Sequence, residues 1–332
     1  MSFVSEMTLP AGGLLRGPLR GGCAHGYAVP MTSGESPMIA RRRVRLALRE
    51  AREALDLTQS DVAEAMEWSL SKVIRIEGGE VSISPNDLRP LLTYLRIKDR
   101  KTIDGLIADA KMSRVRQRRF WWQEAPYREH LTPGMQRLIE FEREAVAIRY
   151  FAIYIIPGVL QTKLFAQAVL QQWQLSLSPE DINARLEARM RRRNDMLTRT
   201  DAPTLSVLLD ESLVRRPYGG RAVLIDQLTD LHRLASEGRL ALRVVPFSVE
   251  APLPTYGAFD LMYLKEDGDD ENAVLYSESG STDEIVEDRN RAAQYHTRFD
   301  ELWHASMTEA DTIDLLRRRL TELAAQEPTE SP

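Results

Sequence analysis

Apolar side chains recur at helical spacing along the first third of the chain. Between residues 39 and 54 they fall three, four and seven positions apart, which places them on one side of a helix. The same spacing, bounded by N-cap residues and glycines, predicts four shorter helices after it. The five predicted helices span residues 39–54, 59–66, 70–77, 86–95 and 101–112.

The second and third of these helices are joined by a tight turn. Thr58 and Ser69 are N-cap residues, and Val73, Ile74 and Ile76 are expected to be the apolar anchors of the third helix. Gly78-Gly79 ends the third helix, because glycine adopts a left-handed backbone at little cost. A short helix, a turn, an N-cap and a second short helix are typical of a DNA-reading helix-turn-helix. An αα-hairpin in any helical domain has the same spacing, so spacing alone leaves both interpretations open.

Strand patterns appear only in the second half of the chain, between longer helical ones. The predicted strands span residues 205–209, 240–247, 256–264 and 273–276, with a βαβ-like unit over 205–247. The predicted helices span residues 133–151, 160–173, 179–198, 221–236, 283–307 and 309–325. The expected fold class is mainly α, with a five-helix N-terminal helix-turn-helix domain and a larger α+β C-terminal domain.

The two ends of the chain have no helical or strand period. Residues 1–37 are rich in glycine, proline and serine, and we expect them to be disordered. A signal peptide is the competing interpretation, but no apolar stretch follows Arg16 or Arg20. We expect Met31 to be the native start, and the tail 326–332 to be loose. The predicted domains are therefore 38–119 and 120–325.

Charge is distributed unevenly between these two domains. The whole chain of 332 residues has a net charge of −5. Residues 38–119 contain 18 Lys and Arg against 12 Asp and Glu, whereas residues 120–332 contain 24 against 35. Nucleic-acid binding depends on the local field, so a basic module joined to an acidic one is compatible with DNA binding. The acidic part should repel DNA, which suggests another partner for it.

Composition excludes several other classes of protein. No apolar run approaches the roughly 20 residues that a membrane helix needs. Cys23 is the single cysteine, which excludes an internal disulfide framework and a thiolate zinc site and favours a reducing cytoplasm. The five histidines have no metal-ligand spacing, and no nucleophile-elbow, P-loop or dinucleotide motif is present. We therefore expect no cofactor, no metal and no enzyme activity.

Residues 41–83 resemble the Xre-type helix-turn-helix of phage repressors. The features that carry the resemblance are Arg52 in helix 1, Thr58-Gln59 at the start of helix 2, Ala63 in its middle, Ser69 at the N-cap of helix 3, and Ile76-Glu77-Gly78-Gly79 at the end of helix 3. The resemblance implies DNA binding.

The resemblance also implies roles for individual residues. Gln59 and the residues at the start of helix 3, Ser69 and Lys72, would contact phosphate. Base edges would be read from positions Leu70, Ser71 and Arg75. Leucine departs from the family pattern, because it can contact only a thymine methyl or a sugar. The family's buried ion pair corresponds to Arg52 and Glu77, and this pair would also orient Arg52 towards a phosphate.

Six short segments in the rest of the chain carry a second resemblance: residues 120–122, 140–162, 209–211, 216–220, 243–247 and 283–286. In this order they resemble a domain of unknown function that follows an Xre helix-turn-helix in many actinobacterial regulators. This resemblance implies a transcriptional regulator of the antitoxin-like type, often encoded beside a small partner protein, and no known enzyme activity.

Four further groups of residues have both a structural and a functional interpretation. For each group the structural interpretation is favoured. The arginines 185, 189 and 191–193 are expected to form a solvated helix face rather than a second phosphate-binding patch, and Trp121-Trp122 to seal the joint between domains rather than to stack on a ligand. Asp210-Glu211 are expected to be a strand end without a catalytic role, and Tyr150, Phe151, Tyr154 and residues 155–158 to pack in the core rather than to line an apolar effector pocket.

These observations predict a sequence-specific regulator that binds double-stranded DNA. Its larger domain is expected to form a homodimer or to bind the small protein partner. The alternative is a DNA-tethered sensor with a small-molecule effector in that domain.

Overall fold

Five helices form the first part of the computed structural model, as the apolar spacing predicted. The structure describes residues 36–115, 120–172, 177–250, 257–264, 273–279 and 282–325, so the predicted disorder up to residue 35, the proposed start at Met31 and the tail 326–332 lie outside the described residues. The five helices are α1 (Pro37–Glu53), α2 (Gln59–Ala65), α3 (Leu70–Glu77), α4 (Pro85–Tyr94) and α5 (Arg100–Met112). Helix α1 begins two residues before its predicted start, because proline is well suited to the first helical position.

The second part is a six-stranded sheet with helices, which confirms the mainly α fold class with an α+β C-terminal domain. Its described helices are α6 (Tyr127–His130), α7 (Pro133–Glu144), α8 (Lys163–Gln171), α9 (Pro179–Thr198), α10 (Glu211–Arg215), α11 (Arg221–Ser236), α12 (Arg289–Ala305) and α13 (Glu309–Ala325). Its strands are β1 (Ala145–Ala152), β2 (Thr204–Asp210), β3 (Ala241–Val245), β4 (Phe259–Leu264), β5 (Val274–Ser279) and β6 (Thr282–Val286).

Two strands replace residues that the helical pattern had assigned to helices. The predicted helix 133–151 ends at Glu144, and Ala145–Ala152 forms β1. Ile148 and Tyr150 pack on one side of this strand and Phe151 on the other, so an apolar run buried on both sides has neither a helical nor an alternating period. The start of the predicted helix 283–307 forms β6, which pairs with β5.

The sheet has the order β3-β2-β1-β4-β5-β6. Strands β1, β2 and β3 are parallel, whereas β4, β5 and β6 are each antiparallel to the preceding neighbour. Helices α10 and α11 connect β2 to β3, which confirms the predicted βαβ unit. Helices α7 to α11 and α13 pack on one side of the sheet, and α12 packs on the other.

Helix α1 belongs to two hydrophobic cores. Ile39, in its first turn, is buried in the main core of the sheet domain, whereas Val44 and Leu48 are buried in the core of the five-helix domain. Residues from 36 onward form one compact unit. The two cores therefore share helix α1.

A buried carboxylate fixes α1 to the sheet domain. Glu287, which follows β6, accepts a hydrogen bond from Nε of Arg42 at 3.0 Å and from Nη2 of Arg137 at 2.7 Å, and it also forms an ion pair with Arg45. Its side chain is only 7% exposed. Arg42 and Arg45 lie on α1 and Arg137 lies on α7, so one carboxylate joins three elements. We call Glu287, Arg42, Arg45 and Arg137 the Glu287 cluster.

Burial and charge act against each other in this cluster. Burial alone would raise the pKa of Glu287, but the three arginines outweigh it and hold the pKa below its ordinary value. Burial lowers the pKa of Arg45 despite the attraction of Glu287. Glu287 is therefore ionised at neutral pH, and its removal would leave the buried Arg45 without its carboxylate partner.

The cluster predicts how the two domains unfold. Glu287→Gln should destabilise the contact between α1 and the sheet domain by about 3–5 kcal/mol, because an uncompensated buried charge remains. Calorimetry should then resolve two unfolding transitions where the unmodified protein shows one. Glu284→Gln is the matched control, because Glu284 is an exposed acid on β6 that pairs with Arg291. A single transition in the Glu287 variant would contradict the prediction.

Candidate DNA-binding surface and a cavity in the larger domain

Side-chain caps fix the residues at which α2 and α3 begin. Thr58 and Asp61 form a capping box, in which the Thr58 hydroxyl accepts from Asp61 N at 3.2 Å and the Asp61 carboxylate accepts from Thr58 N at 2.7 Å. The Ser69 hydroxyl accepts from Lys72 N at 3.3 Å and caps α3. Glu67 makes the turn between them with a left-handed φ of 55°.

The end of α3 is closed by a glycine in the left-handed region. Gly79 has a φ of 77°, and a Cβ built there would lie 2.8 Å from Nε of Arg45. Only glycine fits both the backbone conformation and the space. The end of α3 therefore lies directly against a member of the Glu287 cluster.

Arg52 and Glu77 form a bidentate ion pair between α1 and α3. Nε of Arg52 donates to Glu77 at 2.8 Å and Nη2 donates at 3.0 Å, while Nη1 donates to the carbonyl of Leu57 at 2.8 Å. These bonds raise the pKa of Arg52, and the hydrogen bond to Glu77 is the main cause. Gln59 donates to the same Glu77 carboxylate at 2.9 Å, so this carboxylate fixes the start of α2 as well.

One side of α3 is covered by nothing in the described chain. Leu70, Ser71, Ile74 and Arg75 are exposed, and they lie at positions i, i+1, i+4 and i+5 on one side of the helix. Ile74 was predicted to be an inward anchor together with Val73 and Ile76, but its side chain is 45% exposed, so that prediction was wrong. Its spacing of four from Leu70 is the signal that places it on the outer side.

The two basic residues of α3 have different surroundings. Nζ of Lys72 lies 3.8 Å from the ring centre of Trp68 and 3.2 Å from Asp87. Arg75 lies 3.5 Å from Glu80, and both side chains are more than half exposed. Exposed pairs of this kind contribute little, so Arg75 can exchange Glu80 for another partner.

Two of the other singled-out groups have structural partners. Asp210 caps α10, while Glu211 accepts from the backbone N of Phe247 at 2.8 Å and pairs with Arg215. Trp122 is buried in a small aromatic and aliphatic cluster, and Trp121 donates to Asp195 of α9 at 3.1 Å. The predicted boundary at residue 119 falls within residues 116–119, outside the described chain.

The singled-out arginines of α9, apart from the exposed Arg191, do not form the solvated face that the sequence favoured. Arg192 is 8% exposed and donates to Glu142 of α7 at 2.9 and 2.6 Å. Burial opposes its charge, but Glu142 more than offsets this and the pKa of Arg192 is raised. Arg193 pairs with Asp230 at 2.5 Å. The prediction failed because α9 packs against α6, α7 and α8, and its arginines therefore lie against other parts of the chain.

A cavity of about 1350 Å³ lies at the carboxyl end of β1. Its walls are the loop after β1, the first turns of α7, the end of α8 and one side of α9. β2 and β4 lie on opposite sides of β1, and ligand clefts of α/β sheets favour such a position. Tyr150 and Phe151 are buried in the core as favoured, but Tyr154 and residues 155–158 line this cavity, as does one side of Phe151.

Two classes of feature are missing from the described residues. Within residues 36–325, gaps excepted, no cluster of three histidine, cysteine or carboxylate side chains is placed to hold a metal ion. In the same part of the chain, no helix is both long and apolar enough to cross a bilayer.

The caps, the turn and the exposed side of α3 define a helix-turn-helix protein. The comparison with family models agrees, because a model described as a helix-turn-helix domain matches residues 44–104. A model described as a domain of unknown function, DUF5753, matches residues 135–318, which is more than half of the chain, and the protein belongs to that family. No curated protein and no solved structure matches the chain. The helix-turn-helix points to a DNA-binding regulator rather than an enzyme.

The buried ion pair between Arg192 of α9 and Glu142 of α7 generates a stability prediction. Glu142→Gln should lower the free energy of unfolding by about 3–5 kcal/mol, because Arg192 stays buried without its carboxylate. The double variant Glu142→Leu, Arg192→Met should be less destabilised than this single variant, since two apolar side chains replace both charges. Urea denaturation of the three proteins makes the comparison. A double variant that loses as much stability as the single one would contradict the interpretation.

Proposed function

We propose that the protein is a sequence-specific, Xre-type transcriptional regulator that inserts α3 into the major groove of DNA. The observation that carries the proposal is the uncovered side of α3, formed by Leu70, Ser71, Ile74 and Arg75. These residues begin at the helix N-terminus, from which recognition helices contact base edges.

Each residue of this side has a chemical role in the proposal. Arg75 would donate two hydrogen bonds to O6 and N7 of a guanine, and Ser71 would contact a neighbouring base edge. Leu70 and Ile74 would pack against thymine methyl groups, which suits two exposed apolar side chains one helical turn apart.

Phosphate contacts would come from the residues around the two N-termini. Gln59 has one amide hydrogen on Glu77, which leaves a second one for a phosphate oxygen. Lys72 would exchange Asp87 for phosphate, and Ser69 would contribute from the start of α3. Every nitrogen of Arg52 already donates within the chain, so its proposed role is to position Gln59 and α3 through Glu77.

The proposed recognition of DNA bases by α3 is tested by replacing Arg75. Arg75→Ala should cost about 1–3 kcal/mol of binding at one base position and relax the preference there. Gln59→Ala should weaken binding to all sequences alike, because phosphate contacts do not depend on sequence. Arg100→Ala is the control, because the Arg100 side chain is 96% exposed on α5. Binding to a randomised DNA library measures all three, and an unchanged preference in the Arg75 variant would show that the wrong side of α3 was assigned.

The larger domain is proposed to bring two copies of the chain together, or to bind a small protein partner. Its acidic balance disfavours DNA as its own ligand. One helix-turn-helix reads few bases, so a dimer gains affinity from two half-sites.

A fragment tests the assembly role. Residues 36–115 contain the complete core of the five-helix domain, including Leu48, Val73 and Leu92. The full chain should sediment as a dimer, whereas the fragment should be a monomer that binds DNA at least tenfold more weakly. A fragment with the full affinity, or a monomeric full chain on DNA, would exclude the larger domain as the assembly unit.

A second candidate role is favoured by the contacts that connect the cavity with the DNA-binding domain. Gly134, Met135 and Leu138 of α7 line the cavity, and Arg137 of the same helix belongs to the Glu287 cluster that holds α1. A molecule in the cavity would therefore act on an element that is bonded to the DNA-binding domain. This path supports a DNA-tethered sensor of a small-molecule effector.

A further inference from the structure

The cavity beside β1 is large and of mixed character. Its volume of about 1350 Å³ is enough for a drug-sized molecule. The apolar part of the wall comes from side chains of α7 and α8, among them Met135, Leu138, Val169 and Leu170. The basic part comes from α9.

Three arginines form one stripe along the cavity. Arg185, Arg189 and Arg192 lie four and three residues apart, which places them on one side of α9, and all three line the cavity. A Cβ placed on Gly158 would lie 3.7 Å from Nε of Arg189 and 3.8 Å from Nη1 of Arg192. The loop after β1 and two guanidinium groups therefore meet at one point of the wall.

The arginines differ in what they are bonded to. Arg192 is held by the buried carboxylate of Glu142. Arg189 donates to the neutral amide of Gln161 at 2.7 Å, and Nε of Arg185 donates to the carbonyl of His130 at 3.4 Å. No carboxylate of the described residues lies within ion-pair distance of Arg185.

Carboxylates are scarce in the lining. Asp260, on β4, is the one acidic side chain among the described lining residues, and it has its own partner. Among the described lining residues, the three arginines of α9 outnumber this one acid, and this balance of charge favours a negatively charged group near Arg185 and Arg189. Guanidinium groups are suited to carboxylate, sulfonate and phosphate oxygens, which they bind with paired hydrogen bonds.

We propose that this cavity binds an amphiphilic organic anion. The anionic group lies against Arg185 and Arg189, and the apolar body lies against α7 and α8. This inference rests on the proposed sensor role only for its effect on DNA, because binding in the cavity itself needs no DNA.

Two fluorescent probes that differ only in charge test the ligand class. Anilinonaphthalene sulfonate carries an aromatic body and a sulfonate, whereas N-phenyl-naphthylamine has the same body without the charge. The full-length protein should bind the sulfonate at one saturable site and the neutral probe at least tenfold more weakly. Equal affinities, or no saturable site for the sulfonate, would overturn the proposal.

Variants of α9 locate the site. Arg185→Gln combined with Arg189→Gln should weaken binding of the sulfonate at least tenfold and leave the neutral probe unchanged. The double lysine variant keeps the charge and should retain binding of the sulfonate, which separates charge from a folding defect. Arg191→Gln is the control, because Arg191 is an exposed arginine of α9 outside the cavity lining. Full affinity in the glutamine variant would overturn the assignment.

DNA affinity, measured with and without the sulfonate, separates the two proposals. Failure to bind the sulfonate with DNA binding intact overturns the ligand proposal alone. Saturable binding without any change in DNA affinity overturns the sensor role alone.

Discussion

A single buried carboxylate governs how this protein is put together. Glu287 can be buried because Arg42, Arg45 and Arg137 surround it, and the buried Arg45 in turn has the ionised Glu287 as its carboxylate partner. The carboxylate and the guanidinium groups compensate each other's charge. Neither domain can therefore separate from the other without exposing a charge or leaving a buried charge uncompensated. The direction of α1, and with it the position of the five-helix domain, follows from this constraint.

Local signals explain which elements were predictable from the sequence. Four helices with a side-chain cap, α2, α3, α7 and α9, begin at the residue where the sequence places them. Strand β1 was missed because it is buried on both sides, and this removes the periodicity that separates strands from helices. Strand β6 was missed because its identity depends on pairing with β5, which no local pattern records.

The candidate sites also differ in how far local sequence patterns predict them. The outer side of α3 follows from helical spacing, and only Ile74 was placed on the wrong side, because its apolar character suggested burial. The pair of Arg192 with Glu142 joins residues 50 positions apart, and Glu287 reaches Arg42 across 245 positions. Contacts of that range depend on the topology of the whole sheet, so the arginines of α9 resembled an ordinary solvated surface.

Gly79 lies where the backbone turn that ends α3 meets Arg45, a member of the Glu287 cluster. Any side chain at this position would need a left-handed backbone and would push against the guanidinium of Arg45. In a genetic screen, a substitution at Gly79 should therefore produce the same phenotype as one at Glu287, although the two residues are more than 200 positions apart. A compensating second mutation would be found among the arginines of α1.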